Sequence, residues 1–154
     1  MPAHFHVKRH AEPPLMPIEL LGIVASVALG FLHIVLASHA ASMQRGYWWA
    51  AGARDQQLPP LHGVAGRLAR ASANYLETYP YFAVLALAVH VTAANSVVSA
   101  WGIGLYLVGR TVYLPLYAFG VVLVRSLAWN VAVLGIAALG WSLVAHQWAA
   151  SPAQ

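Results

Sequence analysis

Four long apolar stretches constrain the fold more than any other feature of this sequence. They cover about residues 18–41, 64–94, 97–119 and 124–148. Each reaches the length of about 20 residues that an α-helix needs to cross a bilayer. Only 8% of the 154 residues are charged, whereas about a quarter are charged in a typical soluble domain. We therefore predict an all-α integral membrane protein built as a bundle of four transmembrane helices.

The polar segments indicate how such a bundle is arranged in the membrane. Residues 1–15 are polar and Pro-punctuated and predict a flexible N-terminal tail, followed by a single domain over residues 16–150. Four spans place both termini on one side. The loop after the first span and its flanks carry four arginines, which by the positive-inside rule predicts a cytoplasmic loop and termini outside. These arginines are Arg45, Arg54, Arg67 and Arg70.

Two polar faces interrupt the apolar pattern. On the second span, Arg70, Asn74 and Glu77 occupy positions i, i+4 and i+7 and share one side of a helix. A similar spacing on the third span groups Arg110, Tyr113 and Tyr117. Because these two spans run antiparallel, both faces lie at the same membrane depth. Arg125 and Ser126 open the fourth span at that level.

This polar cluster has two possible explanations. A buried charge costs about 2.5–3.5 kcal/mol at a span centre, so one possibility is a hydrogen-bonded network that only pins the helices in register. The other is a binding site. Arginines outnumber Glu77 in the cluster, and an anionic ligand, a carboxylate above all, would balance the excess positive charge.

Several kinds of chemistry are excluded. The chain has no cysteine, which removes disulfides and a cysteine nucleophile. No Ser–His–Asp pattern accompanies Ser126 and no metal-ligand spacing occurs in the spans, so we predict no metal site. The arginines are topology and site signals, and we expect no nucleic-acid partner. Catalysis would have to be electrostatic, with an Arg stabilising the thiolate of a ligand-borne thiol.

The polar motifs resemble those of the MAPEG family, the membrane-associated proteins in eicosanoid and glutathione metabolism. The resemblance extends over nearly the whole chain from Met16, in four-span layout and motif order, and is to a prokaryote-type member similar to microsomal glutathione transferases and prostaglandin E synthase. Three motifs carry it: Arg70-Ala71-x-x-Asn74-x-x-Glu77-x-x-Pro80, Gly109-Arg110-x-x-Tyr113-x-x-x-Tyr117 and Val124-Arg125-Ser126.

The resemblance implies a homotrimer in a bacterial inner membrane, with glutathione bound between subunits near the cytoplasmic face. Arg125 would stabilise the glutathione thiolate and Ser126 would assist the thiol. The implied reaction is glutathione transfer to a lipophilic electrophile, or a related peroxidase or isomerase step. Residues that would hold glutathione are Arg70, Asn74, Glu77, Arg110, Tyr113 and Tyr117.

A function of another class also fits the residues. The chain would then be a non-catalytic membrane protein whose Arg/Glu face binds a lipid headgroup or another anion, or only stabilises the oligomer. Glutathione binding by the purified protein distinguishes this alternative from the transferase.

Overall fold

A computed structural model describes residues 16–151, which form helices and connections without any β-strand. The predicted tail, residues 1–15, lies outside the described residues. In chain order the helices are α1 (Ile18–Arg45), α2 (Tyr47–Ala51), α3 (Gly63–Val91), α4 (Val97–Phe119) and α5 (Val122–Ala150).

The short helix α2 is an addition to the four helices predicted from the sequence. The helix α1 runs to Arg45, four residues beyond the predicted span, and ends at Gly46. Gly46 has a φ of 92°, in the region that glycine reaches without steric cost. The chain changes direction there and resumes as one short helix, so the polar connection after the first span begins with helical structure.

Three of the helices, α1, α4 and α5, are long and apolar enough to cross a membrane. The helix α3 is as long as α5, with 29 residues, but it is absent from this group. Its first half carries Arg67, Arg70 and Glu77, and these lower its apolar character. The composition of the described helices thus supports three spans directly, and the crossing of α3 remains a prediction.

Contacts between helix ends define the directions of the helices. Ser99 Oγ donates to Glu19 Oε1 at 3.2 Å, so α1 and α4 begin at the same end of the bundle. Arg67 Nε donates to the Ala118 carbonyl at 2.8 Å, so α3 begins where α4 ends. Gly120, at a φ of 80°, then reverses the chain into α5. Both ends of the described chain therefore lie at one end of the bundle, opposite the connection between α1 and α3.

The buried residues of α1 are small or polar, whereas the large apolar side chains of this helix are exposed. Phe31, for example, is 67% exposed. A helix of a water-soluble bundle shows the reverse pattern, whereas small residues on the packed face are typical of membrane helices. The pattern fits a helix with lipid along its outer side. The buried residues of α1 are Glu19, Gly22, Ser26, Gly30 and His33.

Glycines bring the backbones of α4 and α5 into direct contact. A Cβ atom on Gly135 would lie 2.6 Å from the Gly102 carbonyl oxygen, and one on Gly109 would lie 2.7 Å from the Ala128 carbonyl oxygen. Gly104, also on α4, has no neighbour within 4 Å of its Cβ position. The close α4–α5 contact matters for the site because it fixes the position of the first turn of α5 against the end of α4.

We predict that Gly135→Ala lowers the free energy of unfolding by about 1–3 kcal/mol, because the added methyl group forces two backbones apart. SDS titration in mixed micelles, followed by circular dichroism, measures this change. The matched control is Gly104→Ala, which adds the same methyl group in open space and should leave the stability equal or slightly higher. Equal losses in both variants would contradict close packing at Gly135.

Candidate functional site

The guanidinium of Arg110 is completely buried between α3 and α4. Its Nη1 donates to Asn74 Oδ1 at 2.9 Å, and its Nη2 donates to Thr78 Oγ1. Both acceptors belong to α3 and lie on the same side of it, because they are four residues apart. The buried charge therefore ties α4 to α3 through neutral hydrogen-bond partners.

Aromatic rings surround the same guanidinium. Its central carbon lies 5.4 Å from the ring centroid of Tyr113, 5.8 Å from that of Tyr106 and 5.9 Å from that of Tyr75. The negative faces of aromatic rings attract a cation at such distances. These rings and the two hydrogen bonds partly offset the desolvation of Arg110.

The polar face of α3 divides into an inner and an outer part. Asn74 accepts from Arg110 and donates through Nδ2 to Glu77 Oε2 at 3.4 Å. Arg70 and Glu77 themselves are exposed on the surface of α3. The amide of Asn74 thus links a buried cation to a surface carboxylate, and the two outer charges are left available to a ligand or a neighbouring protein.

Arg125, in the first turn of α5, lies against the aromatic side of this cluster. Its guanidinium carbon lies 4.4 Å from the ring centroid of Tyr117. The rings of Tyr117 and Tyr113 are 5.3 Å apart, and Tyr113 in turn contacts the Arg110 guanidinium. The two arginines are therefore joined through a pair of tyrosines on α4.

A polar cavity of about 250 Å³ opens where α3, α4 and α5 meet. It gathers two amides, two phenols, a guanidinium, a hydroxyl and an indole, which together can bind an anion and stabilise negative charge. Five residues predicted from the sequence line it: Asn74, Tyr113, Tyr117, Arg125 and Ser126.

Three other predicted residues do not line the cavity. Arg110 lies deeper, in contact with Tyr113, and Arg70 and Glu77 project from the outer part of α3. Within the chain, the Ser126 hydroxyl donates to the Val122 carbonyl at 3.2 Å and keeps its lone pairs free to accept.

Three polar or aromatic residues of the site were not predicted from the sequence. Thr78 accepts from Arg110, and Trp129 and Asn130 line the cavity. Helical spacing could have found them: Thr78 follows Asn74 by four residues, and Asn130 follows Ser126 by four. Asn130 Nδ2 also donates to the Ser126 carbonyl at 2.9 Å, which supports the first turns of α5.

Two further buried polar groups lie away from the cavity. Glu19, to which the sequence analysis gave no role, accepts from Ser99 at the opposite end of the bundle. His33 lies against Tyr75 with 4.6 Å between the ring centroids, which is a packing contact between α1 and α3. Between residues 16 and 151, no three His, Asp or Glu side chains converge in a way that would hold a metal ion.

Comparison with known proteins gives one result. The profile of the MAPEG family matches residues 22–145, which include all five helices in whole or in part. No curated protein and no solved structure shows a significant match to the chain. The family match covers most of the sequence and contains every residue of the polar cavity. The chain belongs to the MAPEG family.

Proposed function

We propose that this protein is a glutathione-dependent transferase of the membrane that acts on a lipophilic electrophile. The MAPEG family includes glutathione transferases and related enzymes. The observation that carries the proposal is the position of Arg125 and Ser126 in one cavity with Asn74, Tyr113 and Tyr117. Conjugation is the reaction we infer first, and a peroxidase or isomerase step would use the same thiolate.

The donor set of the cavity suits glutathione, which carries two carboxylates and supplies a thiol nucleophile. In this proposal Asn74, Tyr113 and Tyr117 hold the peptide part by hydrogen bonds. Arg125 stabilises the thiolate, the reactive form of the thiol, while the Tyr117 ring supports its guanidinium from the other side. The Ser126 hydroxyl, which donates to the Val122 carbonyl, accepts a hydrogen bond from the thiol before it ionises, and the proton of the thiol then leaves to the aqueous side.

The outer charges of α3 support a site shared between subunits. The cavity of about 250 Å³ is smaller than the range of roughly 300–1,000 Å³ common for ligand pockets. Arg70 and Glu77 are exposed and do not line it within their own protomer. In a homotrimer with glutathione between neighbouring protomers, these two residues would complete the binding site. Arg110 would not contact glutathione and would instead hold Asn74 and Tyr113 in position.

The membrane supplies the second substrate in this proposal. Large apolar side chains cover the outer faces of α1 and α5, and a lipophilic electrophile dissolved in the bilayer reaches the site along them. The arginine-rich end of the bundle faces the cytoplasm of a bacterial inner membrane, where glutathione is supplied, and both termini lie outside.

One observation favours the non-catalytic alternative. Arg110 is completely buried and hydrogen-bonded to Asn74 and Thr78, so part of the cluster serves to hold helices together. This structural role accounts for Arg110. It does not account for Arg125, whose side chain lines an open cavity. A bound anion explains Arg125 better than helix packing does, and glutathione binding decides which anion it is.

We expect Arg125→Ala to lower the rate of glutathione conjugation to a chloronitrobenzene by about 10²-fold or more, as removal of one electrostatic stabiliser does in other enzymes. Arg125→Lys keeps the charge and should retain part of the rate. Spectrophotometric assays of the protein in detergent measure both, and circular dichroism checks the fold. An unchanged rate in Arg125→Ala would remove this residue from the mechanism.

Substitutions on α3 and α5 should have different effects, with a change on α3 weakening glutathione binding and a change on α5 mainly slowing the reaction. We expect Arg70→Ala to weaken glutathione binding about tenfold or more, the effect of losing one charge-assisted hydrogen bond. Arg125→Ala should bind glutathione with an affinity closer to that of the wild type. Isothermal titration calorimetry measures both affinities. Absence of heat in the wild-type protein, with phospholipid phosphate retained through purification, would instead favour the non-catalytic alternative.

A further inference from the structure

A second basic cavity lies at the end of α1, on elements that do not form the polar cavity between α3, α4 and α5. It has a volume of about 330 Å³. Two guanidiniums, two hydroxyls and an indole ring contribute to its wall. These belong to Arg45, Arg54, Ser38, Ser42 and Trp49.

The spacing of these residues explains how they reach one cavity. Ser38, Ser42 and Arg45 are at positions i, i+4 and i+7 of α1 and so share one side of it. Trp49, on α2, continues the same side after the turn at Gly46. Its ring centroid lies 5.0 Å from the Arg45 guanidinium carbon, and this cation–π contact holds the two side chains together.

The cavity holds more donors than acceptors. Arg45 Nε and Trp49 Nε1 are both buried, and neither has a hydrogen-bond partner among the described residues. Arg54 donates from Nε and Nη2 to the Ala50 carbonyl at 2.9 and 2.7 Å, which keeps its guanidinium at the cavity. Within residues 16–151, its Nη1 has no hydrogen-bond partner. The carboxylate of Asp55 does not belong to the cavity wall. A ligand with several anionic oxygens would satisfy these donors.

The position of the cavity at the end of an apolar helix favours a lipid headgroup over a free anion as its ligand. The helix α1 is apolar enough to cross a membrane and ends at Arg45, so the cavity lies at the level of a membrane surface. At the same end of α1, Met43 lines a neighbouring cavity and is 71% exposed, and Trp48, which precedes Trp49, is 93% exposed. Apolar side chains at this level, and Trp above all, are typical of contact with lipid. An acyl chain could lie along them while its headgroup enters the cavity.

We propose that this cavity binds the phosphodiester headgroup of an anionic phospholipid. Arg45 and Arg54 bind the phosphate oxygens, the Trp49 indole N–H donates a further hydrogen bond, and Ser38 and Ser42 contact the polar glycerol region. The site would anchor the connection between α1 and α3 to the membrane surface. It requires neither glutathione nor catalytic activity.

Native mass spectrometry of the protein from micelles with equal amounts of phosphatidylglycerol and phosphatidylcholine tests the proposal. The wild type should retain phosphatidylglycerol preferentially. Because each basic residue at a membrane surface contributes about fivefold to the binding of anionic lipid, Arg45→Gln/Arg54→Gln should reduce the preference roughly tenfold or more. Trp49→Phe keeps an aromatic ring over Arg45 and removes the indole N–H donor, so it should reduce the preference without disturbing the fold.

Arg70→Gln is the matched control, because it removes a positive charge from the same end of the bundle but outside this cavity. It should lose less of the lipid preference than the double variant, about fivefold at most as for any surface charge, and circular dichroism should show the same helix content in all variants. An unchanged preference in both the double variant and Trp49→Phe, or an equal loss in Arg70→Gln, would overturn the site. Inorganic phosphate at millimolar concentration should not displace the lipid, and displacement would identify a free-anion site instead.

Discussion

The buried guanidinium of Arg110 is the constraint on which the arrangement of the helices depends. A charge inside a membrane bundle must find hydrogen bonds from its neighbours, because neither lipid nor water supplies them there. Asn74 and Thr78 provide them from α3, and three tyrosine rings enclose the charge. This fixes the register between α3 and α4. It also places Tyr113 where it can form part of the polar cavity.

The remaining contacts follow from the same environment. Apolar side chains gain little by packing against one another when lipid is equally apolar, so close backbone approach and polar contacts hold the helices together. Gly102, Gly109 and Gly135 serve the first purpose between α4 and α5. Glu19 and Ser99 serve the second between α1 and α4. Through these contacts α5 presents Arg125 to the cavity.

Helical spacing predicted which residues would come together better than it predicted their orientation. Arg70, Asn74 and Glu77 lie within an arc of about 60° on a helix that turns 100° per residue. Packing against α4 nevertheless divides this arc, with Asn74 turned inward and Arg70 and Glu77 turned outward. The division depends on which side of α3 meets Arg110, and no periodicity in α3 alone contains that information. The short helix α2 was missed for a similar reason, since it depends on the turn at Gly46.

The sequence by itself determined the all-helical membrane class, the family and the set of polar residues that interrupt the apolar helices, because length, low charge and motif spacing are properties of the chain. The tertiary structure decided how these residues are used. It turned Arg110 into a buried tie between helices, placed Arg125 over Tyr117 at an open cavity, and formed a separate basic cavity from Arg45, Arg54 and Trp49. The first two outcomes depend on contacts between helices, which exist only once the helices have packed. The basic cavity depends on the turn at Gly46, which brings α2 next to the end of α1.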